Sequence, residues 1–247
     1  MARPQLTCNS VPTPGLWLDS LLPQESPHVH SSAVRDGYVY VADLGTDAVY
    51  SYSLHAATTT EPPAQPQLSL ASRLDVTPSG SGPRSLALHP SAPLAVVTLE
   101  MAAKLLLVRL EGDGRLNPLQ YMELNPEGWP SASGDGSSPF AAFNNGKWAS
   151  DVVWGRDGRF LYAASRLIDS IVCFALKDER LRFVQHIPAG GKTPRQLCIS
   201  PDGTLLLACL QHGHCVSSFA VDTATGLLRA VDSARVPLPS CIVMHEL

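Results

Sequence analysis

The 247-residue sequence predicts an all-β fold, a β-propeller of which about four blades are present in this chain. Three observations lead to this prediction. Runs of alternating apolar residues flank Asp-Gly turns, which are the strongest short signal for a β-hairpin. The turns at Asp157 and Asp202 lie 45 positions apart, and the segments around them resemble each other. Four short runs fill each repeat, and four strands in about 40–50 residues are typical of a propeller blade.

Four repeats align on their hairpin turns. We expect the blades to occupy residues 29–54, 83–124, 149–188 and 194–235. The first strand pair of each repeat turns at Asp36-Gly37, at 89–93, at Asp157-Gly158 and at Asp202-Gly203. The segment Met101–Leu110 would form a helix in isolation, but its position in the repeat predicts a strand.

The repeats also define the domain organisation. We expect residues 1–26 to form an irregular N-terminal segment and residues 27–247 to form the propeller domain. Two stretches inside the domain break the pattern, namely 56–82, rich in Thr, Pro and Ser, and 125–147, which holds Trp129, Phe140 and Phe143. Both are expected to be long connections at the rim of a blade.

Composition excludes several classes of partner. The chain has 18 Lys and Arg against 22 Asp and Glu, so we expect no nucleic-acid partner and no anionic membrane partner. No apolar run approaches the roughly 18 residues that a membrane helix needs. The N-terminus lacks a continuous apolar stretch, so no signal peptide is predicted, and together with a pI near 6.0 this favours the cytoplasm.

The six cysteines are expected to be structural. No CxxC pair occurs, and most of the cysteines stand inside apolar runs, as small buried hydrophobic residues of a reducing compartment do. The spacing of Cys209, His212, His214 and Cys215 matches no common zinc pattern, so neither a metal nor another cofactor is predicted.

Polar side chains recur at two matched positions of the repeats. Just before the first strand stand His30, Arg84, Ser150 and Arg195, and just after the second strand stand Leu44, Glu100, Arg166 and Gln211. The first strand of each blade lines the central channel, so matched positions should lie around one ring at its mouth. The alternative is that these residues cap strand ends or form surface pairs.

Such a cation-rich cluster suits a compact anionic ligand. Arginine presents a planar fork that binds a carboxylate or phosphate at two points. A histidine near its ordinary pKa can act as a general base or acid at neutral pH. An arginine beside a reacting carbonyl group can stabilise the oxyanion that develops there.

At these residues the sequence resembles the seven-bladed β-propeller lactonase family. That family includes 6-phosphogluconolactonases and 3-carboxy-cis,cis-muconate lactonising enzymes. The resemblance covers about residues 22 to 247. It is carried by motifs that occur in order, including Pro27-His28-Val29-His30-Ser31, Gly82-Pro83-Arg84, Ser165-Arg166, Thr193-Pro194-Arg195 and Pro239-Ser240-Cys241.

The resemblance implies a set of site residues. The catalytic residues would be His30, Arg84, Glu100 and Arg195, and the substrate-binding residues would be Arg166, Gln211 and His28, with no metal. The sequence departs from the family at Ser85, where a histidine usually follows Gly-Pro-Arg, and around Arg166 and Gln211. The family also has about three more blades before the segment that holds His30. We therefore expect an open arc whose exposed strand edges favour self-association.

Three functions follow as hypotheses. The first is hydrolysis of a phosphorylated sugar lactone in carbohydrate metabolism and the pentose phosphate pathway, with His30 activating water and the arginines binding the anion or oxyanion. The second is a carboxymuconate-type cycloisomerase that uses the same residues, in which His30 moves a proton at carbon. The third is a non-catalytic propeller that serves as a binding module or is a truncated homologue.

Overall fold

Sixteen β-strands form four antiparallel sheets in the computed structural model, which describes residues 26–55, 67–124, 148–166 and 168–244. No α-helix occurs in these ranges. The structure therefore confirms the all-β prediction. The irregular segment expected at residues 1–26 lies almost entirely outside the described residues, as does the expected connection 125–147.

Each sheet is one blade, built from four strands that are consecutive in sequence. The first blade contains β1 (Val29–Arg35), β2 (Tyr38–Asp43), β3 (Ala48–His55) and β4 (Gln67–Asp75). The second contains β5 (Pro83–Leu88), β6 (Leu94–Leu99), β7 (Lys104–Leu110) and β8 (Leu116–Glu123).

The remaining two blades repeat this order. The third contains β9 (Trp148–Trp154), β10 (Phe160–Arg166), β11 (Ser170–Lys177) and β12 (Arg180–Pro188). The fourth contains β13 (Pro194–Ile199), β14 (Leu205–Leu210), β15 (Cys215–Val221) and β16 (Leu228–Arg235). The strand predicted within Met101–Leu110 is present as β7, which starts at Lys104 and pairs with both β6 and β8.

One predicted boundary is wrong. The stretch 56–82 was expected to be a connection, but its second half contains β4, which pairs with β3 from Ala48↔Asp75 to His55↔Gln67. Most side chains of β4 are exposed, including Leu68 and Leu70. Because most of its side chains face solvent, β4 lacks the strong apolar run that predicted the other strands.

The cores lie between blades. One apolar cluster, which includes Tyr40, joins the first blade to the second. A cluster with Leu107 joins the second to the third, and a cluster with Tyr162 joins the third to the fourth. Inner strands β1, β5, β9 and β13 pack in that order, so they form the wall of an arc. Each blade is therefore held mainly by its neighbours in the arc.

Glutamine side chains also join neighbouring blades on the outer strands. Gln120 of β8 donates to the carbonyl oxygen of Leu181 (3.2 Å) and accepts from the N–H of the same residue (2.8 Å). Gln185 of β12 makes the same two contacts with Leu228, at 3.0 and 2.7 Å. An amide can satisfy both groups of one peptide unit, which fixes the relative height of adjacent blades.

The cysteines fall into three groups by exposure. Cys173 and Cys209 are buried, Cys198 and Cys215 are half-buried, and Cys241 is exposed, so the expectation of a buried cysteine is wrong for Cys241, while Cys8 lies outside the described residues. All five are free thiols. Among the described residues no three His, Cys, Asp or Glu side chains come together as a metal site requires. None of the chain's described segments forms a helix able to cross a membrane.

Candidate functional site

A β-bulge lies at the start of every inner strand. The register between β1 and β2 shifts between Val29 and Ser31, and that between β13 and β14 shifts between Pro194 and Gln196. The extra residues are therefore His30 and Arg195. These side chains stand inside their strands, as second residues, and not just before them as the sequence predicted.

The same shift occurs in the two middle blades. In the second blade it falls between Pro83 and Leu86, a stretch that includes Arg84. In the third blade it falls opposite Ala163 and Ser165, on the part of β9 that includes Ser150 and Asp151. A bulge turns the extra side chain away from the regular alternation. This geometry places a polar side chain in the bulge at the start of each inner strand.

Glu100 is the centre of a buried ion cluster. Its Oε2 lies 2.8 Å from Nε of Arg84, and its Oε1 accepts a hydrogen bond from Nη2 of Arg166. Nη1 of Arg84 donates to the carbonyl oxygen of Ser150. Arg84, Glu100 and Arg166 are only 5%, 6% and 7% exposed. Buried charges need such pairing, because an unpaired one would carry the full cost of desolvation.

Both arginines of this cluster keep their charge at neutral pH. Burial lowers the pKa of Arg84 to about 10, against the opposing effect of Glu100, and burial lowers the pKa of Arg166 as well. Trp148 at the start of β9 supports Arg166 from one side, since the guanidinium carbon lies 5.4 Å from the centre of the indole ring. A cation over an aromatic face is stabilised by the ring quadrupole.

Arg195 has a different environment. It is half-buried, and its Nη1 donates to Oε1 of Gln211 over 3.1 Å. Within the described part of the chain it takes part in no salt bridge, unlike Arg84 and Arg166. A guanidinium with an uncharged partner retains more of its capacity to bind an external anion.

His30 lies within the electrostatic reach of these arginines. His30 is exposed at the start of β1, yet partial desolvation by its neighbours, followed by the positive charges of Arg84, His28 and Arg195, lowers its pKa to about 4. Its ring stacks on that of His28, with ring centres 6.2 Å apart. His30 is therefore neutral at pH 7 and can accept a proton.

Glu100 makes no hydrogen bond to His30 among the described residues. It contacts Arg84 and Arg166 instead. Glu100 therefore orients the arginines and not the histidine. The cleft holds three arginines against Glu100, with a neutral His30 beside them, so its net charge is positive.

Sequence reasoning missed Asp151. Its Oδ1 accepts a hydrogen bond from the hydroxyl of Ser85, and its Oδ2 accepts one from the N–H of Leu197 over 2.9 Å. Asp151 thus joins inner strands β5, β9 and β13 beneath the arginines. Burial raises the pKa of its carboxyl group. The sequence carries one sign of Asp151. It directly follows Ser150, as Ser85 directly follows Arg84, so Asp151 and Ser85 stand at matched positions of their repeats.

Fold and site together define the blades of a β-propeller with a cluster of arginines around Glu100 on its inner hairpins. The family described as "Lactonase, 7-bladed beta-propeller" matches residues 19–244. The chain belongs to this family, as the motifs around His30, Arg84 and Arg195 predicted.

Individual relatives agree with this assignment. The chain is 28% identical over 230 residues to a 6-phosphogluconolactonase of Bacillus subtilis, covering 90% of this chain and 59% of the relative. It is 26% identical to a 6-phosphogluconolactonase of Erwinia tasmaniensis, covering 95% of this chain and 65% of that protein.

Solved structures give the same result. A periplasmic gluconolactonase of Pseudomonas aeruginosa is similar with a TM-score of 0.73 and 31% identity, over 88% of this chain and 57% of that one. A putative 6-phosphogluconolactonase of Bacteroides fragilis has a TM-score of 0.74 and 25% identity, over 88% and 58%. The chain thus spans about three fifths of the length of these relatives.

Proposed function

We propose that the chain hydrolyses a small lactone that carries an anionic group, a phosphorylated sugar lactone being the substrate class that fits best. The observation that carries this proposal is that a neutral His30 lies within the electrostatic reach of Arg195, a cation free of salt bridges among the described residues. The names of the relatives from Bacillus subtilis and Erwinia tasmaniensis support the same chemistry.

In the proposed reaction His30 accepts a proton from water while the water oxygen bonds to the carbonyl carbon of the lactone. The carbonyl oxygen then carries the negative charge. When the tetrahedral intermediate collapses, the carbon-to-ring-oxygen bond breaks and His30 returns its proton to the ring oxygen. One water is consumed, and the product is an open chain with a carboxyl group and a hydroxyl group.

The arginines have separate roles in this proposal. Arg84 is held by Glu100 and by the carbonyl oxygen of Ser150, and a cation fixed in this way suits the oxyanion of the intermediate. Arg195 is more accessible and would hold the anionic group of the substrate. Arg166 would add positive charge from behind Glu100, and Gln211 and His28 would contact the substrate at the two ends of the cleft.

A direct assay with matched histidine variants tests the proposal. Loss of a positioned general base lowers turnover by about 10²–10⁴. We therefore expect His30→Ala to lose that much lactonase activity on 6-phosphogluconolactone, whereas His55→Ala, at an exposed position of β3, should not. Equal activity of the two variants, or wild-type activity no greater than spontaneous hydrolysis, would contradict the proposal and favour a binding module.

The product distinguishes the hydrolase from the cycloisomerase. Hydrolysis in H₂¹⁸O places one ¹⁸O atom in the carboxyl group of the product, whereas a cycloisomerase takes up no water. Mass spectrometry of the product of a lactone and of a carboxymuconate therefore decides between the two reactions. Product without ¹⁸O would exclude the hydrolytic mechanism.

The finer assignments stay predictions. They are the pentose phosphate pathway, the anionic character of the substrate and a location in the cytoplasm. The gluconolactonase from Pseudomonas aeruginosa is named as periplasmic, so relatives of this chain are not confined to one compartment by family alone.

A further inference from the structure

Two inner strands begin with the same short segment in an unusual conformation. Pro83-Arg84 follows Gly82, and Pro194-Arg195 follows Thr193. Gly82 and Thr193 both adopt the left-handed conformation, with φ of 66° and 59°. Glycine does so without penalty, but a β-branched residue such as Thr193 is held there only by surrounding structure.

A carboxylate from the preceding blade holds each of these residues. The N–H of Gly82 donates to Oδ1 of Asp47 over 2.8 Å. The N–H of Thr193 donates to Oδ1 of Asp169 over 2.6 Å. Asp47 and Asp169 occupy the same place in their blades, the last turn residue before β3 and before β11.

The carbonyl groups of Gly82 and Thr193 accept hydrogen bonds from the two residues whose side chains bind the arginines. The N–H of Glu100 donates to the carbonyl oxygen of Gly82 over 2.8 Å, and the N–H of Gln211 donates to that of Thr193 over 3.0 Å. Each left-handed residue thus precedes Pro-Arg in the chain and also accepts a hydrogen bond from the backbone of the residue that binds that arginine. This residue is Glu100 for Arg84 and Gln211 for Arg195.

The junction between the second and third blades is an internal comparison. Its turn carries Ala103, also with positive φ (51°), at the position of Asp47 and Asp169. The inner strand that follows carries Ser150 in place of an arginine. The aspartate is therefore present at the two junctions that lead to an arginine and absent from the one that does not.

We propose that Asp47 and Asp169 are positioning residues, which act through the backbone of Gly82 and Thr193 to set Arg84 and Arg195 in the cleft. Each carboxylate fixes the residue before Pro-Arg, and the fixed peptide orients the bulge from which the arginine projects. The arrangement couples the first blade to Arg84 of the second and the third blade to Arg195 of the fourth. The kinetic part of the test rests on the proposed function, whereas the spectroscopic part does not.

The test uses three aspartate variants of the full chain. Asp169→Ala removes the acceptor, Asp169→Asn keeps an oxygen that can accept the same N–H, and Asp202→Ala is the matched control. Asp202 also accepts a backbone N–H in the fourth blade, that of Thr204 over 3.0 Å, but at the opposite end of the inner hairpin. The Nε–H resonance of Arg195 in the NMR spectrum reports the position of its side chain without any ligand.

We expect the Arg195 resonance to move in Asp169→Ala, and to stay at the wild-type position in Asp169→Asn and Asp202→Ala. If the lactonase proposal holds, KM for the phosphorylated lactone should rise about tenfold in Asp169→Ala alone, the equivalent of one hydrogen bond near a charged group. An unmoved Arg195 resonance in Asp169→Ala would overturn the positioning role. A moved resonance in a chain without lactonase activity would contradict only the proposed function.

A second variant separates positioning from general destabilisation. Thr193→Gly removes the steric cost of positive φ, so the segment needs the carboxylate less. We expect the Arg195 shift caused by Asp169→Ala to be smaller when Thr193→Gly is also present. An equal shift in both backgrounds would show that Asp169 does not act through this residue.

Discussion

At the scale of single residues, the three arginines of the cleft differ in what they can still bind. Arg84 is bound by Glu100 and by a backbone carbonyl oxygen, and Arg166 is bound by Glu100 and packs on Trp148. Among the described residues Arg195 has one side-chain hydrogen bond, to the amide oxygen of Gln211. Burying the first two without Glu100 would cost several kcal/mol. The buried pair therefore serves as a fixed source of positive charge, and Arg195 is left as the side chain with capacity for a ligand.

This difference predicts how Arg195 variants behave. If Arg195 grips the anion equally in the ground and transition states, Arg195→Ala should raise KM and leave kcat unchanged. Arg195→Lys keeps the charge but loses the two-point fork, so it should recover only part of the loss. Steady-state kinetics on the phosphorylated lactone measures both parameters. Arg229→Ala, on the exposed strand β16, is the control, and a KM change of the same size there would contradict the role of Arg195.

The low pKa of His30 predicts a particular pH dependence. If His30 is the base of the proposed hydrolysis, only its neutral form is active, and with a pKa of about 4 the free protein has that form above this pH. A bound anion offsets the charges of Arg84 and Arg195, so it should raise the pKa of His30 in the complex. We therefore expect the acid limb of kcat to lie at higher pH than that of kcat/KM.

Rate profiles between pH 3.5 and 7, with folding followed by circular dichroism, measure the two limbs. His30→Ala should abolish the acid limb that belongs to the enzyme and leave any limb due to ionisation of the substrate phosphate. Coincident limbs for kcat and kcat/KM in the wild type would show that the anion does not bind beside His30.

At the scale of strands and hairpins, the repeat pattern was enough to place most elements. Asp-Gly turns at Asp157 and Asp202 identify the inner hairpins, because Asp-Gly between two alternating apolar runs is a strong signal for a hairpin. The bulges could not be predicted, since one extra residue in a strand leaves no clear trace in an alternating pattern. The matched positions of His30 and Arg195 were therefore found, but the reason for their orientation was not.

The same limit explains the missed members of the cleft. Asp151 contacts Ser85 and Leu197, which are 66 and 46 positions away in the sequence. No local pattern reveals which blade faces which, so neither contact could be inferred. Strand β4 was missed for another reason, since its residues are largely exposed and resemble a polar connection.

The buried carboxyl of Asp151 predicts a pH-dependent stability difference. Burial raises its pKa in the folded state above the ordinary value of 3.8. The folded state therefore binds this proton more tightly, and its stability contribution is full below pH 3.8 and is lost as pH rises through the folded pKa. Asp151→Asn has no such proton to lose, so its melting temperature relative to wild type should increase as pH rises from 3.5 to 7.

Thermal unfolding of both proteins across this range is the measurement. Asp202→Asn is the control, because hydrogen bonds from Ser200 and Thr204 lower the pKa of exposed Asp202 to about 2, and the relative stability of that variant should fall with rising pH. A relative melting temperature of Asp151→Asn that falls with pH would show that its hydrogen bonds outweigh burial.

At the scale of the whole molecule, the blades at the two ends of the arc differ from those inside it. In the described residues the first blade packs on the second through one face only, which carries Tyr40, Ala42 and Val49. Its other face carries Val34, Leu54, Leu68 and Leu70, which are 62%, 41%, 56% and 60% exposed. A blade inside a seven-bladed ring has neighbours on both faces, and exposed apolar faces of this kind are sites of association.

The last prediction follows from this uncovered face. Since exposed apolar surface favours association, we expect the self-association predicted from the sequence to involve this face of the first blade. Sedimentation velocity at micromolar concentration should then show a dimer, and Leu70→Glu should dissociate it by placing a charge in the apolar contact. Val231→Glu is the matched control, because Val231 is 54% exposed on β16 at the other end of the arc. A monomeric wild type would contradict this expectation, and a dimer broken by Val231→Glu but kept by Leu70→Glu would place the interface on the fourth blade instead.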